Sequence, residues 1–201
     1  MKIKNLFLFV ICFLSIFLLS GCFEKKVDNK VITVEQFKSV AEKHGFKSVD
    51  SLGLKSDILS VFTQSLEDAK DRSYIKNITT VADLDINDIS KPFYMIMFIE
   101  CESKEYAFEF YDYYKLDSVK MIGKFKQMPN MSDKCNVEDL VSQNDFKKCR
   151  MSVLDVGKVN NNFGSNNFYK IFSVRGNTVI YCGFLDKDTD KIDKLLDELG
   201  Y

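Results

Sequence analysis

Cysteine offers this chain its widest choice of chemistry, and it occurs six times, as Cys12, Cys22, Cys101, Cys135, Cys149 and Cys182. The last four lie in the body of the chain. In an oxidising compartment, an even set of this kind predicts two disulfides, with three connectivities open. Cys135 and Cys149 are the favoured local pair, since closing a loop of that length stabilises by ~3 kcal/mol on the chain-entropy account. Cys101 and Cys182, both in predicted strands, are then partners by elimination. The competing expectation is four buried free thiols. No Cys-x-x-Cys occurs, which argues against dithiol redox chemistry. The cysteine spacing, with one histidine in the chain, suits no zinc ribbon.

That histidine, His44, has the chemistry of a general base or a ligand. Its place in the last turn of a predicted helix favours a structural role, because the helix dipole stabilises an imidazolium there. Asp186, Asp188 and Asp190 have the spacing of the first, third and fifth ligands of a calcium loop, with Asp197 at the twelfth position. However, Lys191 stands where the sharp turn needs glycine, and acids in a first helical turn are stabilised without metal. Asp83, Asp85 and Asn87 repeat the pattern with Asp88 in the glycine position and read as a polar connection. Ser73-Tyr74-Ile75-Lys76 has Ser-x-x-Lys spacing, but that dyad needs a helix start and this one falls on a predicted strand. No Gly-x-Ser-x-Gly, His-Glu-x-x-His, phosphate loop or dinucleotide fingerprint occurs. No metal or cofactor is expected. Tyr106, Phe108, Phe110, Tyr111, Tyr113 and Tyr114 crowd one predicted helix and cannot all face one buried side. Phe108 and Tyr113 are expected on the outside, as a candidate binding patch. A helix packed on two sides is the competing reading.

The elements that must position these residues follow from periodicity and punctuation. Thr33 and Gln36 form a capping box, and Ile32 with Phe37 a hydrophobic staple, at the start of a helix that carries Phe37, Val40, Ala41 and His44 on one face and stops at Gly45. Ile58, Leu59, Phe62, Leu66 and Ala69 predict a second helix over 57–69. Residues 74–82 and 93–101 read as strands, the second buried on both faces. From Ser103 the period becomes helical and runs to Pro129, as one helix or as two broken near Asp117 and Ser118. The segment between Cys135 and Cys149 is compatible with a short helix. Strands follow at 151–156, 168–174 and 178–184, the last two joined by the two-residue turn Gly176-Asn177. A last helix starts near Asp186, buries Ile192, Leu195, Leu196 and Leu199, and closes on Gly200. The strand–strand–helix order occurs twice. We therefore expect an α+β single domain, with an antiparallel sheet of about five strands and helices packed on one face.

The N-terminus says where such a domain would reside. Lys2 and Lys4 precede an apolar run over 6–19 interrupted only by Ser15. As a helix, that run reaches only ~21 Å, short of a ~30 Å hydrocarbon core, which is the anatomy of an export signal. Its end, Leu19-Ser20-Gly21-Cys22, resembles the lipobox of bacterial lipoproteins. That resemblance implies cleavage before Cys22 and a diacylglyceryl thioether on its sulfur. The expected boundaries are a signal peptide at 1–21, a lipidated cysteine and tether at 22–31, and a folded domain at 32–201. The rest of the chain is similar to small lipid-anchored proteins of Gram-positive bacteria, through Thr33 to Phe37 and the closing Leu195-Leu196-Asp197-Glu198-Leu199-Gly200-Tyr201. That likeness supplies no active-site residues.

Without residues 1–21 the side-chain balance is 26 basic to 29 acidic, a net −3. A near-neutral chain with no basic block argues against a nucleic-acid partner. The expectation is a lipoprotein held to the cell membrane by Cys22, with its domain on the extracytoplasmic side. It would bind an envelope protein partner without catalysis. A small enzyme acting on wall or peptide substrates and a small solute-binding lipoprotein are the alternatives.

Overall fold

A computed structural model describes residues 31–49, 73–85, 91–155 and 166–201. The expected signal segment, Cys22, the expected helix at 57–69 and most of the 160–167 loop lie outside these residues. In chain order the described elements are α1 (Val34–Lys43), β1 (Lys47–Ser48), β2 (Ile75–Asp83), β3 (Phe93–Cys101), α2 (Lys104–Lys126), β4 (Cys135–Ser142), β5 (Phe146–Val153), β6 (Asn167–Arg175), β7 (Thr178–Asp186) and α3 (Asp190–Leu199). The strands form one antiparallel sheet in the order β1-β2-β3-β7-β6-β5-β4. The α+β class holds, with seven strands where about five were expected.

The helices do not share one face, which corrects the expected arrangement. The apolar side chains of α1 and α3 join Tyr94, Ile96, Phe98, Ile180, Cys182 and Phe184 in one core. Those of α2 join Met95, Met97, Ile99, Val179 and Tyr181 in another. Successive strand residues alternate between faces, so these two sets lie on opposite sides of β3 and β7. The cause is visible in the strands themselves. Ile96, Phe98, Ile99 and Val179 through Phe184 are buried almost without interruption, and a central strand that is apolar on both faces needs cover on both.

Local chemistry sets the helix ends. The Thr33 hydroxyl accepts from Gln36 N at 3.3 Å, and the Gln36 side chain accepts from Thr33 N at 2.9 Å, completing the capping box. Ile32 and Phe37 pack in the same core, as a staple requires. The Ser103 hydroxyl caps α2 through Tyr106 N. The helix then runs unbroken for 23 residues, because Ser118 turns its hydroxyl back onto the Tyr114 carbonyl oxygen at 2.9 Å instead of interrupting the ladder. This helix carries the chain from β3, at the sheet centre, to the far edge at β4. The chain returns to the centre as the meander β4-β5-β6-β7.

The segment from Cys135 to Cys149 is strand, not helix. It forms the outer hairpin β4–β5, turned at Gln143 to Asp145. Its edge strand has a weak alternation, with a bulge that leaves Leu140 unpaired between Asp139 and Val141. The Gly176-Asn177 turn is as expected. Gly176 has φ +55°, as the first position of a type II′ turn demands, and a Cβ there would run into the Val31 side chain. The last helix starts at Asp190, because β7 continues through Asp186.

Phe98 is wholly buried and stacks on Phe37 with ring centroids 5.2 Å apart, tying α1 to the sheet. Phe98→Ala should therefore lower stability by about 3–5 kcal/mol in urea unfolding. A loss below ~1 kcal/mol would contradict this packing.

Candidate functional site

The outer side of α2 is the most exposed apolar feature among the described residues. Tyr106, Tyr113, Leu116 and Val119 are 41%, 48%, 54% and 46% exposed. The 3.6-residue repeat puts them on one side of the helix, away from the buried Ala107, Phe110, Tyr111, Tyr114, Ser118 and Ile122. The inner face is pinned by rings. Phe110 and Tyr114 lie 4.5 Å apart by centroid, and Tyr114 stacks on Phe172 of β6. Tyr106 stacks on Tyr74, ahead of β2, at 4.8 Å and 5° between planes. Glu109, Asp112, Lys120 and Lys124 are exposed along the same helix, so both charge signs rim the apolar row.

Of the two residues expected in the patch, only Tyr113 is there. Phe108 is half-buried against the α2-side core, with the ammonium groups of Lys104 and Lys147 each 5.4 Å from its ring centre. Lys147 also pairs with Asp112 at 3.0 Å, and Lys115 with Asp139 of β4 at 2.5 Å. This side of α2 is thus closed against the β4–β5 hairpin, which is why Phe108 is not outside. Tyr106, Leu116 and Val119 were not singled out from sequence. Their offsets of seven, three and six residues from Tyr113 were the available signal, hidden until the inner face was known.

The expected disulfides do not fit the sheet. Cys135 stands opposite Val153, whereas Cys149 stands opposite Asp139. That is four residues of offset, ~13 Å along the strands, when a disulfide needs its Cα atoms within ~7 Å. Cys101 and Cys182 belong to the cores on opposite faces. All four are free and buried. Burial pushes the Cys101 thiol up to about 11 and raises Cys135, Cys149 and Cys182 as well. They are therefore poor thiolates and poor nucleophiles.

The remaining candidates serve the fold. His44 follows α1, and its Nε2 lies 3.0 Å from Glu198 Oε2 on α3, beside a 2.7 Å Lys43–Glu198 pair. The two hydrogen bonds, from Lys43 first and then His44, hold the Glu198 carboxyl below its ordinary range. Asp186 accepts from Tyr94 OH and from Lys187 N, and Asp188 accepts from Asp190 N at 3.1 Å. Asp83 pairs with Lys191, whose ammonium lies 4.9 Å and 4.8 Å from the Phe46 and Tyr94 ring centres. Burial, then Asp186, raises Tyr94 well above the usual phenol value, so it stays a protonated donor. Among the described residues, no three His, Cys, Asp or Glu side chains are grouped to hold a metal ion. Ser73 sits in the turn before β2 and Lys76 is exposed on that strand, so they do not meet as on a helix. Burial beneath α2 lowers Lys170, with Asp117 opposing the shift. Two open depressions border α1, of about 410 Å³ around Phe46 and Lys47 and about 390 Å³ around Gln36 and Leu199, each with mixed polar and apolar walls.

The described part of the chain is thus a two-sided, single-sheet α+β domain whose three most exposed large apolar side chains, Leu116, Tyr113 and Val119, lie on one helix. No family model matches the chain, and no curated protein matches its sequence. Among the described residues no helix is long and apolar enough to cross a membrane.

Two measurements follow. Alkylation without reductant, read by mass spectrometry, should leave Cys101, Cys135, Cys149 and Cys182 unmodified in the native domain and label all four after denaturation. A cysteine pair that resists alkylation until reduced would overturn the free-thiol assignment. A depressed carboxyl stabilises the fold above its unfolded pKa of ~4.3, and that contribution is lost as pH falls through the folded value. Glu198→Gln should therefore destabilise the domain near pH 7, and less so at acid pH below ~4. An equal effect at both would mean that charge is not the cause.

Proposed function

We propose that this protein is a lipid-anchored module on the extracytoplasmic side of the cell membrane, held by Cys22, which docks an envelope protein on the outer side of α2 without catalysis. The observation that carries the docking surface is the exposed row of Tyr106, Tyr113, Leu116 and Val119. Tyrosine offers a large contact area at low conformational cost and is enriched at the energetic centres of protein interfaces. The rim of Glu109, Asp112, Lys120 and Lys124 favours a protein occupant over a lipid surface. Its two acids offset its two lysines, so the rim has no net attraction to anionic headgroups, whereas a mixed polar rim is ordinary around a protein interface. The anchor rests on the basic start, the short apolar run and the Leu-Ser-Gly-Cys end of the sequence.

The test is crosslinking of the full-length protein in intact cells, with labelled palmitate to follow the anchor. Cys22→Ala should abolish label incorporation and membrane retention. Tyr113→Ala combined with Leu116→Ala should cut capture of one identified envelope protein by about tenfold or more. Lys76→Ala, on β2, should leave that capture unchanged. Label retained after Cys22→Ala would overturn the anchor, and capture indifferent to the α2 substitutions would overturn the docking surface.

A further inference from the structure

Tyr201 fills a buried slot on the α1–α3 side of the sheet. Gly200, at φ +79°, turns the chain, and Gly200 N donates to Asp197 O while Tyr201 N donates to Leu196 O at 2.8 Å, a Schellman pattern. The Tyr201 ring stands edge-on to Phe146 with centroids 6.3 Å apart. The Arg175 guanidinium lies 4.1 Å from the Phe146 ring and 5.7 Å from the Tyr201 ring. The Tyr201 hydroxyl is hydrogen-bonded to that of Thr178, which also donates to Arg175 O at 2.8 Å. At the other end Lys148 Nζ donates to the Tyr201 backbone oxygen at 3.2 Å.

The helix-ending turn does not account for the floor of this slot. Such a turn asks only for an apolar contact, whereas here it covers two cations. Lys148 pairs with Ser173, and Phe146 with Arg175, so both cations lie on the same face of neighbouring strands. They are 7% and 4% exposed. Asp145, in the β4–β5 turn, acts on Arg175. Lys148, nearer the centre of the face, is met by the Tyr201 backbone oxygen. Burying an ammonium is costly unless an anion or several acceptors surround it. Beside it the Ser173 hydroxyl is wholly buried and, among the described residues, has no hydrogen-bond partner. A buried hydroxyl of this kind calls for a partner that the described residues do not supply. The unused donor capacity of Lys148 and Ser173 suits a carboxylate.

We propose that Tyr201 is a displaceable plug in a binding site for a carboxylate joined to an aromatic ring. Lys148 and Ser173 take the carboxylate, and Phe146, Arg175 and Thr178 hold the ring. The site lies on the sheet face opposite α2 and does not depend on the docking surface there.

The probe is 3-(4-hydroxyphenyl)propionate, titrated calorimetrically into the full chain and into Tyr201→Ala. Removing the plug should raise affinity by about tenfold or more, and adding Lys148→Met should reverse the gain by a similar factor. The uncharged amide of the probe should bind worse than the acid. A folded Tyr201→Ala domain that takes up no probe, or takes it up equally without Lys148, overturns the proposal. Hydrogen exchange on the unaltered chain gives a reading that does not depend on the variant folding. The Tyr201 amide should exchange through local opening, faster than the amide of Leu196. Exchange of Tyr201 only with global unfolding would make it a fixed part of the core and overturn the plug.

Discussion

The structure depends on burying both faces of β3 and β7, adjacent strands in the interior of the sheet. Ile96, Phe98, Ile180 and Cys182 point one way, and Met95, Met97, Val179 and Tyr181 the other, and all are 2% exposed or less. Neither set can be left in water, because each large apolar side chain buried is worth ~1.5–3 kcal/mol. One layer of helix cannot cover both. The chain meets this demand by sending α2 to one side directly after β3 and α3 to the other directly after β7, with α1 closing the second side against Phe98.

Other features follow from that demand. Because α2 must travel from the sheet centre to its far edge, it is long, and a long helix packed on a sheet keeps an outward side. Its inner rings lock its rotation, and the Lys115–Asp139 pair and the lysines over Phe108 close one flank. That leaves Tyr113, Leu116 and Val119 at the surface through packing rather than composition. On the other face, α3 ends over the β5–β6 strands, where Lys148, Ser173 and Arg175 replace the apolar residues found nearer the centre. The same sheet face is therefore a dry core under α1 and α3 and a polar floor under Tyr201.

Much of the local structure was legible. Thr33 with Gln36, Ser103, Gly176-Asn177 and Gly200 act within a few residues of themselves, so a helix start, a tight turn and a helix stop can be read from short stretches. The apolar run at 93–101 implies a strand buried on both faces, as β3 is, and such a strand is incompatible with a one-sided helix layer. The outer hairpin was missed because β4 is an edge strand with a bulge at Leu140, so its alternation is broken where it would be most needed. The cysteine pairings failed for a different reason. Spacing along the chain says nothing of register, and a four-residue offset between strands is enough to forbid a bond.

By itself the sequence determined what is local or one-dimensional: the α+β class, most element ends, the near-neutral charge, and a short apolar run behind two lysines at the N-terminus. The tertiary structure alone decided the seven-strand order, the face each helix covers, the free state of the four thiols, and which aromatics of α2 meet water. It alone placed Lys148, Ser173 and Arg175 beneath Tyr201. These depend on contacts between residues far apart in the chain. The hydrophobic effect that drives such contacts is non-directional, so it requires that the apolar residues be buried but not against which partner. Only the joint packing of both sheet faces chooses the partners.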